Sequence, residues 1–166
     1  MKLVIISSVI AFLLDGLVSN FIFLNTNLFS CLFSIVSLVL VYPYFKKNNN
    51  RFLIYSFVMG LFYDFIYTDT MILNAFTFLL LGYLIKFFFS KINVNEISSN
   101  ICLILIIIVY RLVVYGALLL FGYLPFDFSL LLKSIYSSLL LNILYCLLGY
   151  VLIDYISYKF RIKKLS

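Results

Sequence analysis

The sequence predicts an all-α membrane protein, a six-transmembrane-helix bundle that makes up a single domain over residues 1–166. Of its 166 residues, 66% are hydrophobic and only 11% are charged, whereas soluble domains average about 45–50% apolar and about 25% charged residues. The chain has too little polar material to cover a surface in water, and disorder requires the opposite composition. Since a span takes about 20 apolar residues, the length accommodates six or seven spans without a separate extramembrane domain.

Six apolar runs, separated by short polar segments, predict the individual spans. They cover approximately residues 3–24, 28–45, 52–67, 71–90, 101–121 and 130–156. The breaks contain groups that do not fit into hydrocarbon, such as Asn25-Thr26-Asn27, the block from Lys46 to Arg51 and the loop from Lys91 to Asn100. Because backbone polar groups in lipid must be satisfied within each run, we expect every run to be helical.

The basic residues predict the orientation of the bundle. With six spans, ten of the twelve lysines and arginines fall on one side: Lys2, Lys46, Lys47, Arg51, Lys86, Lys91, Lys159, Arg161, Lys163 and Lys164. The opposite side has only Lys133, and Arg111 lies within the fifth run. By the positive-inside rule, we expect both termini and the two basic loops to be cytoplasmic. The net charge of +6 then reflects topology and contact with membrane lipid, and no nucleic-acid partner is expected.

The residues that most often build catalytic and metal sites are scarce. The chain has no histidine, which excludes Ser-His-Asp, Cys-His and His-metal sites. Its three cysteines, Cys31, Cys102 and Cys146, lie far apart in apolar runs, without the spacing of a metal site or a disulfide framework. No phosphate-binding loop, zinc motif or nucleophile elbow occurs. We therefore expect a protein without enzymatic activity, cofactor or metal.

Three ionisable residues, Asp15, Asp64 and Arg111, lie inside the predicted spans. Insertion scales place Asp or Arg at a helix centre at about +2.5 to +3.5 kcal/mol, so such residues are paired, cavity-facing or functional. At about 1.5 Å per residue, all three lie at a similar depth, roughly 16–18 Å along their spans. We expect Arg111 to face the bundle interior and to bind a carboxylate, Asp64 or Asp15, or a cluster of acceptors. A ligand cavity and an anchoring surface for another membrane protein are the alternatives.

Ser56, Gly60 and Asp64 lie four residues apart in the third run and so form one narrow strip on its helix. A glycine in such a strip permits close approach of a second helix. The strip is either an internal packing seam or a face for a partner helix, and the need to cover Asp64 from lipid favours the seam. Small and polar residues repeat in the same way in the sixth run, which indicates an inward face: Ser134, Ser138, Asn142 and Cys146.

The third run also carries a family resemblance. The stretch from Tyr55 to Ile66 combines the strip with flanking aromatic residues, and it is followed by Asn74 and by Leu81-Gly82-Tyr83-Leu84. With Pro43 before the basic loop, this pattern resembles MreD, the small integral-membrane rod shape-determining protein family of bacteria. The departures from the family pattern are Ser56, where many members have glycine, Ile72, where a glycine commonly opens the fourth helix, and the absence of a proline early in the second helix.

The resemblance implies a non-enzymatic scaffold of the cell-elongation machinery in the bacterial plasma membrane, regulating cell shape and peptidoglycan synthesis. The implied partners are MreC, actin-like MreB, RodA and a transpeptidase-type penicillin-binding protein. The fold is also similar to the substrate-binding components of energy-coupling-factor vitamin transporters, and such a subunit is the alternative function. Those components use small-x3-small packing on helix one, whereas here Asp15 follows Ala11 at that spacing. A structural lipid-binding protein is a third class that the sequence leaves open.

Overall fold

The computed structural model describes residues 2–21, 30–45, 50–68 and 72–160. Within these ranges the chain forms α-helices and no β-strand: α1 (Lys2–Phe21), α2 (Phe33–Val41), α3 (Arg51–Tyr67), α4 (Leu73–Lys91), α5 (Glu96–Leu120) and α6 (Phe128–Lys159). A short 3-10 helix, Tyr42–Tyr44, continues α2. The predicted breaks at 25–27, 46–49 and 69–70, and the basic residues after Phe160, lie outside the described residues. The all-α prediction is confirmed for this part of the chain.

Three of the described helices, α4, α5 and α6, are long and apolar enough to cross a membrane by length and composition. The apolar parts of α1 and of α2 with its 3-10 turn, Leu3–Val18 and Phe33–Tyr44, are shorter. The described residues therefore support a membrane protein with three candidate spans, which is half of the predicted six.

The second predicted run, 28–45, differs most from the structure. Its α-helix begins only at Phe33 and has nine residues, or about 14 Å of helix against a hydrocarbon core of about 30 Å. Every residue of α2 and of the following 3-10 helix is buried. The prediction of a helix was wrong at residues 30–32, which are not helical, because a continuous apolar run does not show where within it the helix begins.

α2 forms the centre of the bundle and packs against α1, α4, α5 and α6. Ile35, Leu38 and Val39 on α2 are completely buried and belong to one core cluster with Phe78 of α4 and Ile107 of α5. Since lipid tails are as apolar as these side chains, moving them from lipid into protein gains little hydrophobic free energy. Close van der Waals packing around α2 is therefore the term that holds the core together.

The start of α5 corrects the predicted loop from Lys91 to Asn100. α5 begins at Glu96, because Asn95 and Ser98 form a capping box in which each side chain bonds the backbone of the other. The Asn95 N–H donates to Ser98 Oγ at 2.8 Å. By composition, Asn95 and Ser98 resemble loop residues. Asparagine and serine are, however, also the residues that cap a helix N-terminus.

Two local motifs make the connection between α5 and α6. At the end of α5, Gly122 has a φ of 74°, its N–H donates to the Leu119 carbonyl, and the Tyr123 N–H donates to the Leu118 carbonyl. This is a Schellman motif, which requires a left-handed residue and so favours glycine.

Asp127 caps the beginning of α6. Its carboxylate accepts from the Ser129 N–H at 2.8 Å and from the Ser129 hydroxyl at 2.7 Å. These two hydrogen bonds, the hydroxyl first, lower the pKa of Asp127 below its ordinary value. The Tyr115 hydroxyl fixes the same residue by accepting from the Asp127 N–H at 2.7 Å and donating to its carbonyl at 2.9 Å.

Ile72, the residue before α4, has a φ of 70°. A β-branched side chain is rare in this left-handed region, which glycine adopts without strain. The structure thus explains why a glycine suits this position, where this chain departs from the family pattern.

Replacing Ile72 by glycine is expected to stabilise the protein, because the strain of a left-handed L-residue amounts to about 1–2 kcal/mol. For a chain of this size that corresponds to a rise in melting temperature of about 2–8 °C. The melt is followed in detergent with a thiol-reactive dye, which reaches the three buried cysteines only on unfolding.

Ile101→Gly is the matched control, since Ile72 and Ile101 are equally exposed at 49% and Ile101 lies within the helix α5. It should lower stability, as glycine does in a helix interior, by about 1 kcal/mol or more. A drop in melting temperature for both variants would contradict the strain at Ile72.

Candidate functional site

Asp15 of α1 holds the beginning of α2. It is 3% exposed, and its two oxygens accept from the Phe33 N–H at 2.6 Å and the Ser34 N–H at 2.7 Å. The Ser34 hydroxyl donates to the same carboxylate. The first N–H groups of a helix have no partner within the helix, and their partial positive charge attracts an anion. The carboxylate of Asp15 therefore allows α2 to start inside the bundle.

The non-helical residues before α2 are held by side-chain and backbone groups of α6. Asn142 accepts from the Leu32 N–H at 2.9 Å and donates from its amide to the Ser30 carbonyl at 2.9 Å. The Ser30 N–H donates to the Ser137 carbonyl at 3.0 Å. Irregular backbone at membrane depth is tolerated only where protein or water satisfies it. Here α6 supplies those partners for residues 30–32.

Asp64 of α3 holds the beginning of α4 in the same way. It is 7% exposed, and its oxygens accept from the Asn74 N–H at 3.1 Å and the Ala75 N–H at 2.9 Å. The Thr68 hydroxyl and the Asn74 amide also donate to Asp64, at 3.1 and 2.9 Å. The bundle therefore uses one arrangement twice: a buried aspartate on one helix binds the first turn of the next helix.

Asn74 extends this arrangement to a third helix. Its side-chain oxygen accepts from the Tyr110 hydroxyl of α5 at 3.1 Å, and its amide donates to Thr68 Oγ1 at 3.2 Å in addition to Asp64. Asn74 is 3% exposed and Tyr110 is 5% exposed. One asparagine thus connects α3, α4 and α5 through groups that all have partners.

Arg111 of α5 binds hydroxyl groups. Its Nε donates to Ser138 Oγ at 2.8 Å, its Nη2 donates to the same oxygen at 2.6 Å, and Nη2 also donates to the Ser30 hydroxyl. Within the described residues, the guanidinium therefore meets a cluster of acceptors, which is one of the two expected arrangements, and no carboxylate. The reason is that the carboxylates of Asp15 and Asp64 lie against the N-termini of α2 and α4. Arg111 instead connects α5, α6 and the segment before α2.

The strip of Ser56, Gly60 and Asp64 faces α4. A Cβ atom added to Gly60 would lie 2.6 Å from the Asn74 carbonyl oxygen and 2.7 Å from the Ala75 Cα. Gly82 of α4 meets Ser56 in the same manner, since an added Cβ there would lie 2.5 Å from Ser56 Oγ. The two helices approach at paired small residues, which brings Asp64 within reach of the first turn of α4.

The structure brings five of the six sequence candidates into the contacts of α2 and α4, and it places Arg111 beside them with serine partners. The candidate set omitted four residues that complete these contacts: Ser30, Tyr110, Ser138 and Asn142. Asn142 carried the clearest signal, because an amide in the middle of an apolar run needs a partner as much as a charge does. Tyr110 carried none, since tyrosine is common throughout this chain.

These contacts are hydrogen bonds that hold the helices in position relative to one another. Each buried acid lies against backbone N–H groups, and each amide bridges two elements. Over the described ranges, no three residues among histidine, cysteine, aspartate and glutamate come together in a way that would hold a metal ion.

Asp15→Asn is expected to destabilise the protein. An asparagine retains one acceptor oxygen, but its NH2 group then faces a backbone N–H of α2, and a buried donor left without an acceptor costs about 1–3 kcal/mol. Asp64→Asn should act in the same direction at α4. The thiol-reactive melt in detergent measures both variants.

Asp127→Asn is the matched control for these variants, because Asp127 caps α6 at a fully exposed carboxylate and asparagine is an equally good N-cap. Its melting temperature should stay within experimental error of the wild type. Equal melting temperatures for all three variants would show that the buried caps contribute nothing.

Gly60→Ala is expected to lower both the yield of folded protein and its melting temperature, because the added methyl group would collide with backbone atoms of α4. Overpacking of this kind costs about 1–3 kcal/mol. Gly116→Ala is the control, since nothing lies within 4 Å of a Cβ built there and alanine favours a helix over glycine. If Gly60→Ala behaved like Gly116→Ala, the close contact between α3 and α4 would be refuted.

Comparison with known proteins identifies the family. The family model described as rod shape-determining protein MreD matches residues 1–158. No curated protein and no solved structure matches the chain. The match covers nearly the whole chain, including the aspartate caps, the strip on α3 and the apolar helices that are able to span a membrane. The chain therefore belongs to the MreD family of membrane proteins, whose role is the determination of rod shape.

Proposed function

We propose that this protein is a non-enzymatic scaffold of the bacterial cell-elongation machinery in the plasma membrane. In this proposal it binds MreC, acts with MreB on the cytoplasmic side, and regulates peptidoglycan synthesis by RodA and a transpeptidase-type penicillin-binding protein. Membership of the MreD family supports the role in cell shape.

The observation that carries the proposal is the use of the intramembrane polar side chains. Asp15 and Asp64 bind the first turns of α2 and α4, and Arg111 connects α5 with α6. Contacts of this kind hold a bundle in one arrangement and so keep its outer faces in constant positions. A scaffold for other transmembrane helices requires such a surface, because helix association in lipid depends on close and specific packing.

We further propose six membrane crossings in one domain over residues 1–166, with both termini cytoplasmic and an arrangement like that of energy-coupling-factor substrate-binding components. Asp15 of α1 and Asn142 of α6 both bind the start of α2 or the residue before it, and Leu3 and Phe160 line the groove that continues away from there. α1 therefore begins, and α6 ends, at the opposite end of the bundle from these contacts. Glu96 shares a cleft with Asp154, which brings the connection between α4 and α5 to this end as well. Lys159 is exposed there, and the positive-inside rule assigns such an end to the cytoplasm.

Cysteine labelling tests this orientation. In a variant lacking Cys31, Cys102 and Cys146, Asn49→Cys should react with a membrane-impermeant thiol reagent only after the cells are opened. Tyr123→Cys should react in intact cells, because Tyr123 is 73% exposed in the connection at the opposite end. Labelling of position 49 from outside intact cells would overturn the proposed orientation.

Loss of the protein tests the function. Rod-shaped cells that depend on it should become round after clean deletion, and the wild-type gene and Gly116→Ala should both restore rods. MreC should co-purify with the tagged protein from native membranes. Normal rods together with defective vitamin uptake, and recovery of ATPase subunits instead of MreC, would support the transporter subunit and refute the scaffold.

A further inference from the structure

A groove of about 560 Å³ runs along the bundle between α1 and α6, with α2 as its floor. Ile6 and Ile10 of α1 form one wall, Leu148 and Leu152 of α6 form the other, and Leu40 lies at the bottom. These wall residues are 50–65% exposed. The groove is separate from the polar contacts at the starts of α2 and α4, and none of the proposed scaffold contacts requires it.

The lining of the groove is hydrocarbon except for three hydroxyl groups, those of Ser7, Ser37 and Tyr145. Ser7 donates to the Val4 carbonyl at 3.0 Å and Ser37 donates to the Ser34 carbonyl at 2.7 Å, so both are satisfied within their own helices. A polar ligand would find few partners here, and burying its polar groups would be unfavourable. The chemistry of the lining therefore selects a hydrocarbon occupant.

The length of the groove suits an acyl chain of one leaflet. The lining extends from Leu3 to Leu14 on α1 and from Tyr145 to Phe160 on α6, which is about 16 Å and about 22 Å of helix. Both lengths are shorter than the hydrocarbon core of about 30 Å. The groove is therefore long enough for an acyl chain of one leaflet but does not continue across the membrane, as the face for a transmembrane helix would.

A basic residue lies beside the mouth of the groove. The groove opens at Phe160 after the end of α6, next to the exposed Lys159. The exposed rings of Tyr155 and Tyr158 lie on the same turns of α6, and tyrosine is enriched at the level of the lipid headgroups. A lipid phosphate at this level would meet the Lys159 ammonium while its acyl chain enters the groove.

We propose that this groove binds one acyl chain of an anionic phospholipid, with the phosphate of that lipid at Lys159. The lipid belongs to the leaflet at the end of the bundle where α1 begins and α6 ends. Assigning that leaflet to the cytoplasmic side rests on the proposed orientation, but binding in the groove does not. The bound chain completes the contact between α1 and α6, which otherwise face each other across an open space.

Native mass spectrometry of the full chain tests this proposal. The protein is reconstituted into vesicles of phosphatidylglycerol and phosphatidylcholine in equal amounts, extracted in mild detergent, and examined for retained lipid. The wild type should retain one phosphatidylglycerol per molecule. Ser7→Phe places a ring inside the groove and should reduce retention at least tenfold. Val9→Phe adds the same ring on the same helix at a 52% exposed position outside the groove, and should retain lipid like the wild type.

Two further variants separate the acyl chain from the headgroup and guard against misfolding. Lys159→Gln should leave a lipid bound but reduce the preference for phosphatidylglycerol over phosphatidylcholine several-fold. Ile10→Trp fills the groove from the next turn of α1, so the test remains decisive if Ser7→Phe alone melts early.

Several outcomes would overturn the proposal. These are no lipid on the wild type, equal retention by the groove-filling variants and Val9→Phe, or no selectivity change in Lys159→Gln. A photoreactive amino acid at Leu152 provides a separate check in native membranes. A lipid adduct is expected there, whereas a polypeptide adduct would show that a partner helix occupies the groove.

Discussion

The backbone N–H groups at the start of a helix need acceptors, and inside a membrane protein water does not supply them. Two helices of this bundle, α2 and α4, start at buried positions, and each receives a carboxylate from the preceding helix. The carboxylate benefits in turn, because two N–H donors and the helix dipole stabilise its charge where lipid would not. Neither the buried acid nor the buried helix start is tolerable alone. Each makes the other possible, and the position of α2 at the centre of the bundle depends on it.

The other intramembrane polar groups extend the same principle to the long helices. Asn142 satisfies the irregular backbone before α2 from α6, and Arg111 reaches the same segment from α5 through Ser30. Tyr110 connects α5 to Asn74 at the start of α4. The short helix α2 and the first turn of α4 are thereby tied to the long helices around them. Small residues at Ser56, Gly60 and Gly82 allow the close approach on which the contact of Asp64 depends.

Hydropathy predicted the helices well where a helix faces lipid or ends at a polar turn. The run 52–67 corresponds to α3 within one residue, and 71–90 corresponds to α4 within two. It missed the non-helical residues 30–32 within the run 28–45, because their backbone bonds to Asn142, which lies 110 residues away from Leu32. The residues near Leu32 in the sequence give no indication that Asn142 is its partner. The residue types of the site were predictable, since Asp15, Asp64 and Arg111 are too costly in lipid to lack a role, but their partners were not.

The place of Asp15 in the chain has a consequence for biogenesis. The N–H groups that donate to Asp15 belong to Phe33 and Ser34, which are synthesised 18 and 19 residues later. Until they emerge from the ribosome, α1 carries a carboxylate that disfavours its release into the bilayer by about 2.5–3.5 kcal/mol. The first helix and the segment through Ser34 therefore leave the translocation machinery most favourably as one unit. The same argument applies to α3 and α4, because the N–H donors of Asp64, on Asn74 and Ala75, are synthesised only 10 and 11 residues after it. Insertion is thus most favourable when α1 enters together with α2, and α3 together with α4, because each of these two pairs is closed by its own aspartate.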